Sequence, residues 1–287
     1  MTTMTSILHW LLNIFSSVSI IMVNKQLMGA KGYNFNFPTC LCALHFLVTF
    51  AMSRIGMHVG VCPKADKQVV FPSQDLWIYT IVANGSIISL NASLMLNSIL
   101  LYQIAKLAVV PFTCCVEMVW YGRRFSPQVS FCIALTLFGM ALVSISEMQI
   151  SSSKIGILMA GASIVTTSVQ QMLVGHYQKV HEISANDMLA KTAIMQGSTM
   201  LLGGPILDSA FNNRWVHEYS FATQPRALWF LLGSCGLALG VNISQFFVLG
   251  KFSAVTFQLI GHLKTCLVLV LGWFFFSGFV TDTQMMG

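Results

Sequence analysis

The chain has 287 residues, of which 55% are apolar and only 8% are charged, and its mean hydropathy is +0.74. About a quarter of the residues in soluble domains are charged, so this composition excludes an ordinary soluble protein and indicates a membrane protein. The net charge is +6, and the 15 Lys and Arg residues are scattered singly or in pairs, which argues against a nucleic-acid-binding surface.

Apolar segments separated by charged clusters predict nine membrane-spanning helices. A bilayer core about 30 Å thick needs roughly 20 residues per helix, which this length provides. The predicted spans are residues 7–28, 38–58, 76–97, 99–121, 127–146, 155–178, 187–208, 227–249 and 254–277. Only eleven residues follow Phe276, so we expect a tenth helix to be missing. The connections are short, and residues 1–287 are expected to form a single transmembrane domain.

The first predicted helix begins at Ile7, after six neutral residues. This leaves no room for an Arg-rich transit peptide, which argues against import into plastids or mitochondria. We therefore expect insertion at the endoplasmic reticulum and residence in an endomembrane.

A short motif recurs 155 residues along the chain and opens the fourth and ninth predicted helices. The first copy is Ser98-Ile-Leu-Leu-Tyr-Gln-Ile, and the second is Ser253-Ala-Val-Thr-Phe-Gln-Leu. Because the offset spans five helices, an odd number, the second copy must enter the bilayer from the opposite side. We predict an all-α polytopic membrane fold of two inverted five-helix repeats, 1–146 and 147–287, in which the second repeat lacks its last helix.

Two lysines lie deep inside predicted helices. Lys106 is about seven residues inside the fourth helix and Lys264 about ten residues inside the ninth, which places them roughly 10 and 15 Å deep. A lysine at the centre of a membrane helix costs on the order of 2.5–3.5 kcal/mol. A side chain that curls toward the headgroups would relieve part of this cost for Lys106, whereas Lys264 lies too deep to do so. We predict that both lysines face a wet cavity or an anion and converge on one central site.

The fourth helix carries a polar stripe beside its lysine. Tyr102, Lys106, Thr113 and Glu117 stand at i, i+4, i+11 and i+15, so they lie close to one helical face. Glu117 adjoins aromatic and basic residues at the end of the helix, which favours a role at the interface or in a gate over contact with substrate.

The other candidate site residues lie in the ninth and first helices. Gly261 allows close approach of the backbone, and Thr265 offers a hydroxyl beside the Lys264 ammonium, a combination suited to a phosphate. His262 is a further donor, although a histidine in a helix bundle also commonly bonds a neighbouring carbonyl. Asn24 and Lys25 are candidates for the same cavity, and Asn24 is equally suited to bonding between helices.

The eight cysteines lie mostly in apolar segments, and no pair has the spacing of metal ligands. We therefore expect packing thiols and no metal or cofactor. The nine acidic residues form no DxD, HxxxxD or HExxH motif, which argues against a membrane-embedded enzyme and predicts no catalytic residues.

Motifs spread over nearly the whole chain carry a family resemblance. They are Asn24-Lys25, Phe37-Pro38, Leu44-His45-Phe46, Tyr102-Gln-Ile-Ala-Lys106 with Pro111, Gly261-His262-Leu-Lys264-Thr265, and Gly272-Trp273. In them the chain resembles the triose-phosphate and nucleotide-sugar translocator family of the drug/metabolite transporter superfamily. It is most similar to the Lys-Thr subgroup, which includes plant Golgi transporters of UDP-rhamnose and UDP-galactose. Phosphate-exchanging plastid members carry Lys-Arg where this chain has Lys264-Thr265, so the bidentate guanidinium clamp of those members is missing here.

The resemblance implies a ten-helix fold of two inverted halves with a central site near Lys106 and Lys264. It further implies exchange of a nucleotide-sugar, here a UDP-sugar, for a nucleoside monophosphate across a Golgi or other endomembrane. The expected partners are these nucleotides and membrane lipid, and a homodimer is left open. Two alternatives stay open as well: a translocator of a phosphorylated metabolite, and a shortened chain that only binds nucleotide or a partner protein.

Overall fold

The computed structural model describes residues 3–29, 32–60, 70–97, 99–122, 124–146, 154–261, 263–264 and 267. Within these residues the chain forms helices and turns and no β-strand. The helices are α1 (Thr3–Met28), α2 (Pro38–Val59), α3 (Ser73–Leu96), α4 (Ile99–Tyr121), α5 (Pro127–Ser146), α6 (Lys154–Val180), α7 (Ala185–Asn212) and α8 (Pro225–Lys251). Residues 254–261 form a further helical segment in the ninth predicted span. The prediction of a missing tenth helix concerns residues outside the described ranges.

The all-helical prediction is confirmed. Each of the first eight predicted spans coincides with one observed helix, and no boundary differs by more than four residues. Four of the described helices are long and apolar enough to cross a bilayer, namely Met4–Met28, Pro38–Val59, Lys154–Val180 and Pro225–Lys251. The chain is therefore a helical membrane protein.

Local sequence signals account for several helix ends. Pro38 is suited to the first turn of α2 because the missing N–H has no intrahelical partner there. The same helix ends at Gly60, which has the left-handed φ of 83° that glycine adopts without strain. Ser184 caps α7, since its side chain accepts a hydrogen bond from the backbone N–H of Asp187.

The first of two compact units comprises Met1–Asn84 and Leu173–Phe252. In this unit α2 packs against α7, and α1 packs against α8. The α1–α2 and α7–α8 connections also meet, because the ring of Phe35 lies 5.0 Å from the ring of Tyr219, edge to face. The buried cluster beneath them consists of Leu27, Phe35, Phe37, Cys40, Leu41, Ala227 and Leu231.

Polar bonds between helices also hold the first unit together. Asn13 Nδ2 donates to Ser244 Oγ at 2.9 Å, which joins α1 to α8. Asn242 Nδ2 donates to Thr49 Oγ at 3.0 Å, which joins α8 to α2. Small polar residues commonly bond helices to one another in membranes, where water is not available as a partner.

The second compact unit comprises Gly85–Met172 and Ser253–Gly287. Its buried core contains Val110 and Cys114 of α4 together with Val255 of the segment 254–261. Side chains of α5 and the segment pack around this core, including Val129 and Leu259. The core therefore joins α4, the segment and α5.

Hydrogen bonds attach α6 to its neighbours within the second unit. Ser86 and Thr167 share a hydrogen bond of 2.7 Å between their hydroxyl groups, which joins α3 to α6. Thr113 Oγ donates to Ser168 Oγ at 3.0 Å, which joins α4 to α6. The second of these bonds involves α4, the helix that carries Lys106.

Candidate functional site

The two deep lysines, Lys106 and Lys264, are called the lysine pair below. Both belong to the second unit, Lys106 on α4 and Lys264 just beyond the segment 254–261. Lys264 is buried, with 9% of its surface exposed, and Lys106 is half-buried. Long ammonium side chains are almost never buried without a compensating partner, so each ammonium is expected to have one nearby.

Each ammonium lies over an aromatic ring. Lys106 Nζ is 5.5 Å from the centroid of the Tyr102 ring, and Lys264 Nζ is 4.6 Å from the centroid of the Phe257 ring. Both distances are within the range of cation–π attraction, in which the electron-rich ring face attracts a cation. The two rings occupy the same position of the repeated motif, 155 residues apart.

Both positive charges of the lysine pair belong to the second unit. Like charges repel, so the pair favours an anion that neutralises both ammonium groups. Glu117 does not supply that anion to Lys106, because eleven residues of helix place their backbones about 16 Å apart. Glu117 is itself buried.

The other predicted site residues of the second unit fall into different surroundings. A side-chain carbon added at Gly261 would meet no atom within 4 Å among the described residues. Thr113 bonds Ser168 of α6 and contributes to helix packing. His262 and Thr265 lie outside the described residues, and their roles stay predictions.

The structure adds Gln171 of α6, which the sequence motifs did not single out. Gln258, in the second copy of the repeated motif, donates a hydrogen bond from its Nε2 atom to Gln171 Oε1 at 2.6 Å. Gln171 is buried. In the sequence, α6 contains no Asp, Glu, Lys or Arg between Lys154 and Lys179, and the adjacent glutamines at 170 and 171 are the signal that could have identified this position.

Asn24 takes part in bonding between helices of the first unit. His45 Nε2 lies 2.9 Å from Ser234 Oγ, and the Ser234 hydroxyl donates to Asn24 Oδ1. Because Ser234 uses its hydrogen toward Asn24, its oxygen must accept from His45, which places a hydrogen on Nε2 of that ring. This chain of bonds joins α1, α8 and α2. A contact of Asn24 and Lys25 with the substrate stays a prediction.

Comparisons with known proteins identify the family. No protein-family model matches the chain. The UDP-rhamnose/UDP-galactose transporter 3 of Arabidopsis thaliana is 37% identical over 278 residues, which cover 97% of this chain and 77% of that protein. The chain belongs to the nucleotide-sugar transporters of the drug/metabolite transporter superfamily. UDP-xylose transporter 3 of the same plant is 34% identical over 262 residues, which cover 91% of this chain and 71% of the relative.

The fold is shared with a solved structure. A crystal structure matches with a TM-score of 0.68 over 97% of this chain and 93% of its own, at 14% identity. The family assignment confirms the resemblance found in the sequence motifs. It also confirms that this nucleotide-sugar transporter family member is not an enzyme, because the relatives are named as transporters.

Proposed function

We propose that the chain exchanges a nucleotide-sugar for a nucleoside monophosphate across the membrane of the Golgi or another endomembrane. The relatives named above are transporters of UDP-rhamnose, UDP-galactose and UDP-xylose, and these compounds share the UDP group. We therefore assign a UDP-sugar and UMP as the exchanged pair. The observation that carries this proposal is the lysine pair, in which two ammonium groups of the second unit lie over rings at the same position of the repeated motif.

The lysine pair supplies a reason for exchange to be obligatory. Enclosing the two ammonium groups without an anion would cost about 5–7 kcal/mol, twice the cost of one lysine at the centre of a membrane helix. At 1.4 kcal/mol per factor of ten, empty crossing is suppressed by roughly four to five powers of ten. A bound phosphate neutralises the pair and permits the conformational change that carries it across.

The remaining predicted residues complete the proposed site. Thr265 and His262 donate hydrogen bonds to phosphate oxygens, and Gly261 leaves room for the phosphate beside the helix. Tyr102 lies next to Lys106 on the same face of α4. Asn24 and Lys25 are proposed to line the path of the nucleotide on α1.

An inverted repeat of 1–146 and 147–287 is part of this proposal, and a second internal similarity supports it. Four of seven positions in 83–89 of α3 recur in 238–244 of α8, at the same 155-residue offset as the first motif. The recurring pairs are Ala83 and Ala238, Gly85 and Gly240, Ile88 and Ile243, and Ser89 and Ser244.

Helix packing agrees with that similarity. At Gly85, α3 approaches Thr166 of α6, and at Gly240, α8 approaches Ser16 of α1. If each helix corresponds to the helix five further along the chain, the α3–α6 contact corresponds to the α8–α1 contact. We propose nine spans on this basis, with the ninth beginning at the segment 254–261.

Counterflow into liposomes preloaded with UMP tests the proposal. We expect wild-type protein to take up UDP-galactose, Lys264→Ala to abolish uptake, and Lys264→Arg to retain binding of UMP with slower turnover. Lys179→Ala is the matched control, because Lys179 is exposed at the end of α6 and should leave uptake unchanged. If the Lys264→Ala variant took up UDP-galactose as fast as the wild type, the proposal would be refuted.

Competition experiments separate the alternative cargoes. Inhibition by UMP and not by inorganic phosphate supports a nucleotide-sugar transporter, whereas inhibition by phosphate alone would indicate a phosphorylated metabolite. Purified protein whose melting temperature rises with UMP but which shows no exchange would indicate a chain that only binds nucleotide.

A further inference from the structure

The two ammonium–ring contacts are equivalent in the repeat although the spacing of their residues differs. Tyr102 and Lys106 are four residues apart, and Phe257 and Lys264 are seven residues apart. Four residues is the ordinary spacing of neighbours on one helical face, but seven residues separates two turns, a rise of about 10 Å. The Lys264 side chain must therefore reach back along its helix toward Phe257. The spacing between ring and lysine is not repeated, so it does not explain why both ammonium groups contact the ring at the same position of the motif.

The chemistry of the contact suits a temporary partner. The face of an aromatic ring attracts an ammonium, and more strongly where water is excluded. Phe257 is buried, as is Lys264, so their contact is largely desolvated. A neutral ring lowers the energy of the ammonium without cancelling its charge. A phosphate, which carries full negative charge, attracts the same ammonium more strongly than a ring does.

We propose that Tyr102 and Phe257 are positioning residues that hold the two ammonium groups while the site is empty and release them when a phosphate binds. This inference rests on the proposed function and adds a regulation of the same site. The rings compete with the substrate for the lysines. They also stabilise the empty carrier, so they set how often it crosses the membrane without cargo.

The test weakens the Phe257 ring while nearly preserving its size. Incorporation of 3,4,5-trifluorophenylalanine at position 257 withdraws electrons from the ring face, and each fluorine is only slightly larger than the hydrogen that it replaces. UMP binding is measured on the purified full chain by calorimetry. Efflux of UMP from preloaded liposomes is then followed into buffer with and without external UMP. The same amino acid at Phe131, which is 68% exposed on α5, is the matched control.

We expect the variant at position 257 to bind UMP more tightly, because the bound state is unaffected while the empty state loses the stabilisation that the ring supplies. The dissociation constant should fall by about 2- to 25-fold, the range that corresponds to a cation–π contact of about 0.5–2 kcal/mol. Efflux into UMP-free buffer should slow, exchange against external UMP should persist, and the Phe131 control should match the wild type.

An unchanged or increased dissociation constant would overturn the inference, since the ring would then carry no energy or would contact the nucleotide itself. If the wild-type chain binds and exchanges UMP but the variant shows such a result, only the inference about the rings would be overturned, and the proposed function would stand. A wild-type chain that binds no nucleotide would overturn the proposed function as well.

A second measurement needs no substrate. The fall in melting temperature caused by Phe257→Leu should be smaller in a Lys264→Met background than in the wild type, because only the wild type has an ammonium to lose. Equal falls in the two backgrounds would mean that the ring packs against its surroundings and does not hold the lysine, which would refute the inference.

Discussion

A buried carboxylate on α7 should be essential to the stability of the first unit, because it caps α2. Asp208 is only 1% exposed, and its two oxygens accept hydrogen bonds from the backbone N–H groups of Thr39 at 3.0 Å and Cys40 at 2.9 Å. The residue at the N-cap position, Phe37, has no side chain that could serve these donors. Asp208 therefore supplies from a neighbouring helix the cap that the local sequence lacks, and its negative charge suits the positive end of the helix dipole.

The expected cost follows from these two bonds. A hydrogen bond to a charged group contributes about 1.5–3 kcal/mol, so Asp208→Ala should lower the free energy of unfolding by about 3–6 kcal/mol. Asp208→Asn keeps one acceptor oxygen and should lose about half as much. Thermal unfolding in detergent at a fixed scan rate should rank the melting temperatures as wild type, then Asn, then Ala.

The matched control is Asp187, a half-buried carboxylate in the first turn of α7 that accepts a hydrogen bond from Ser184. Asp187→Ala should lower the free energy of unfolding by no more than about 1 kcal/mol, as is usual for an exposed polar contact. A fall in melting temperature for Asp208→Ala that does not exceed the fall for Asp187→Ala would refute the capping role.

Two further predictions concern helix packing and alkaline pH. Gly175→Ala should destabilise the first unit by about 1–3 kcal/mol, because the added carbon would lie 2.8 Å from the carbonyl oxygen of Leu249. Gly203→Ala is the control, since a carbon added there meets no described atom within 4 Å, and its melting temperature should equal or slightly exceed that of the wild type. Burial and the neighbouring Tyr33 raise the pKa of Tyr219, a loop residue whose hydroxyl donates to the Tyr33 carbonyl. The folded state therefore holds this proton more tightly, so wild-type stability should decline as pH rises above about 10, and Tyr219→Phe should show a shallower decline in melting temperature.

The helices could be predicted well because their signal is local. A bilayer-spanning helix needs a long apolar run bounded by polar residues, and this chain alternates between the two. The bounds of α4 and α5 match the prediction to the residue. The largest differences, four residues at the start of α1 and at the end of α7, arise because polar residues such as Thr3 and Asn212 extend a helix beyond its apolar part.

Partners between distant helices could not be predicted in the same way. The capping role of Asp208 could not be predicted from the sequence, because the two N–H groups that donate to it lie 168 and 169 residues away. Asn24 was recognised as polar, and bonding between helices was one of its two predicted roles, but its partners Ser234 and His45 depend on how three helices pack. A single sequence contains the residue types of such a network and not its pairing.

The lysine pair shows which part of a site internal symmetry can identify. The 155-residue offset brings Tyr102 onto Phe257, so the rings are in register, yet it places Lys106 opposite Gly261 and Lys264 opposite Val109. The repeat therefore identifies the helices and the rings, and it does not identify the lysines, which were found from the cost of placing a charge deep in a bilayer. The two lysines thus occupy non-equivalent backbone positions, yet each ammonium lies over the ring of its own copy of the motif. The chain reaches one arrangement of charge and ring from two different spacings, which a comparison of aligned residues alone would miss.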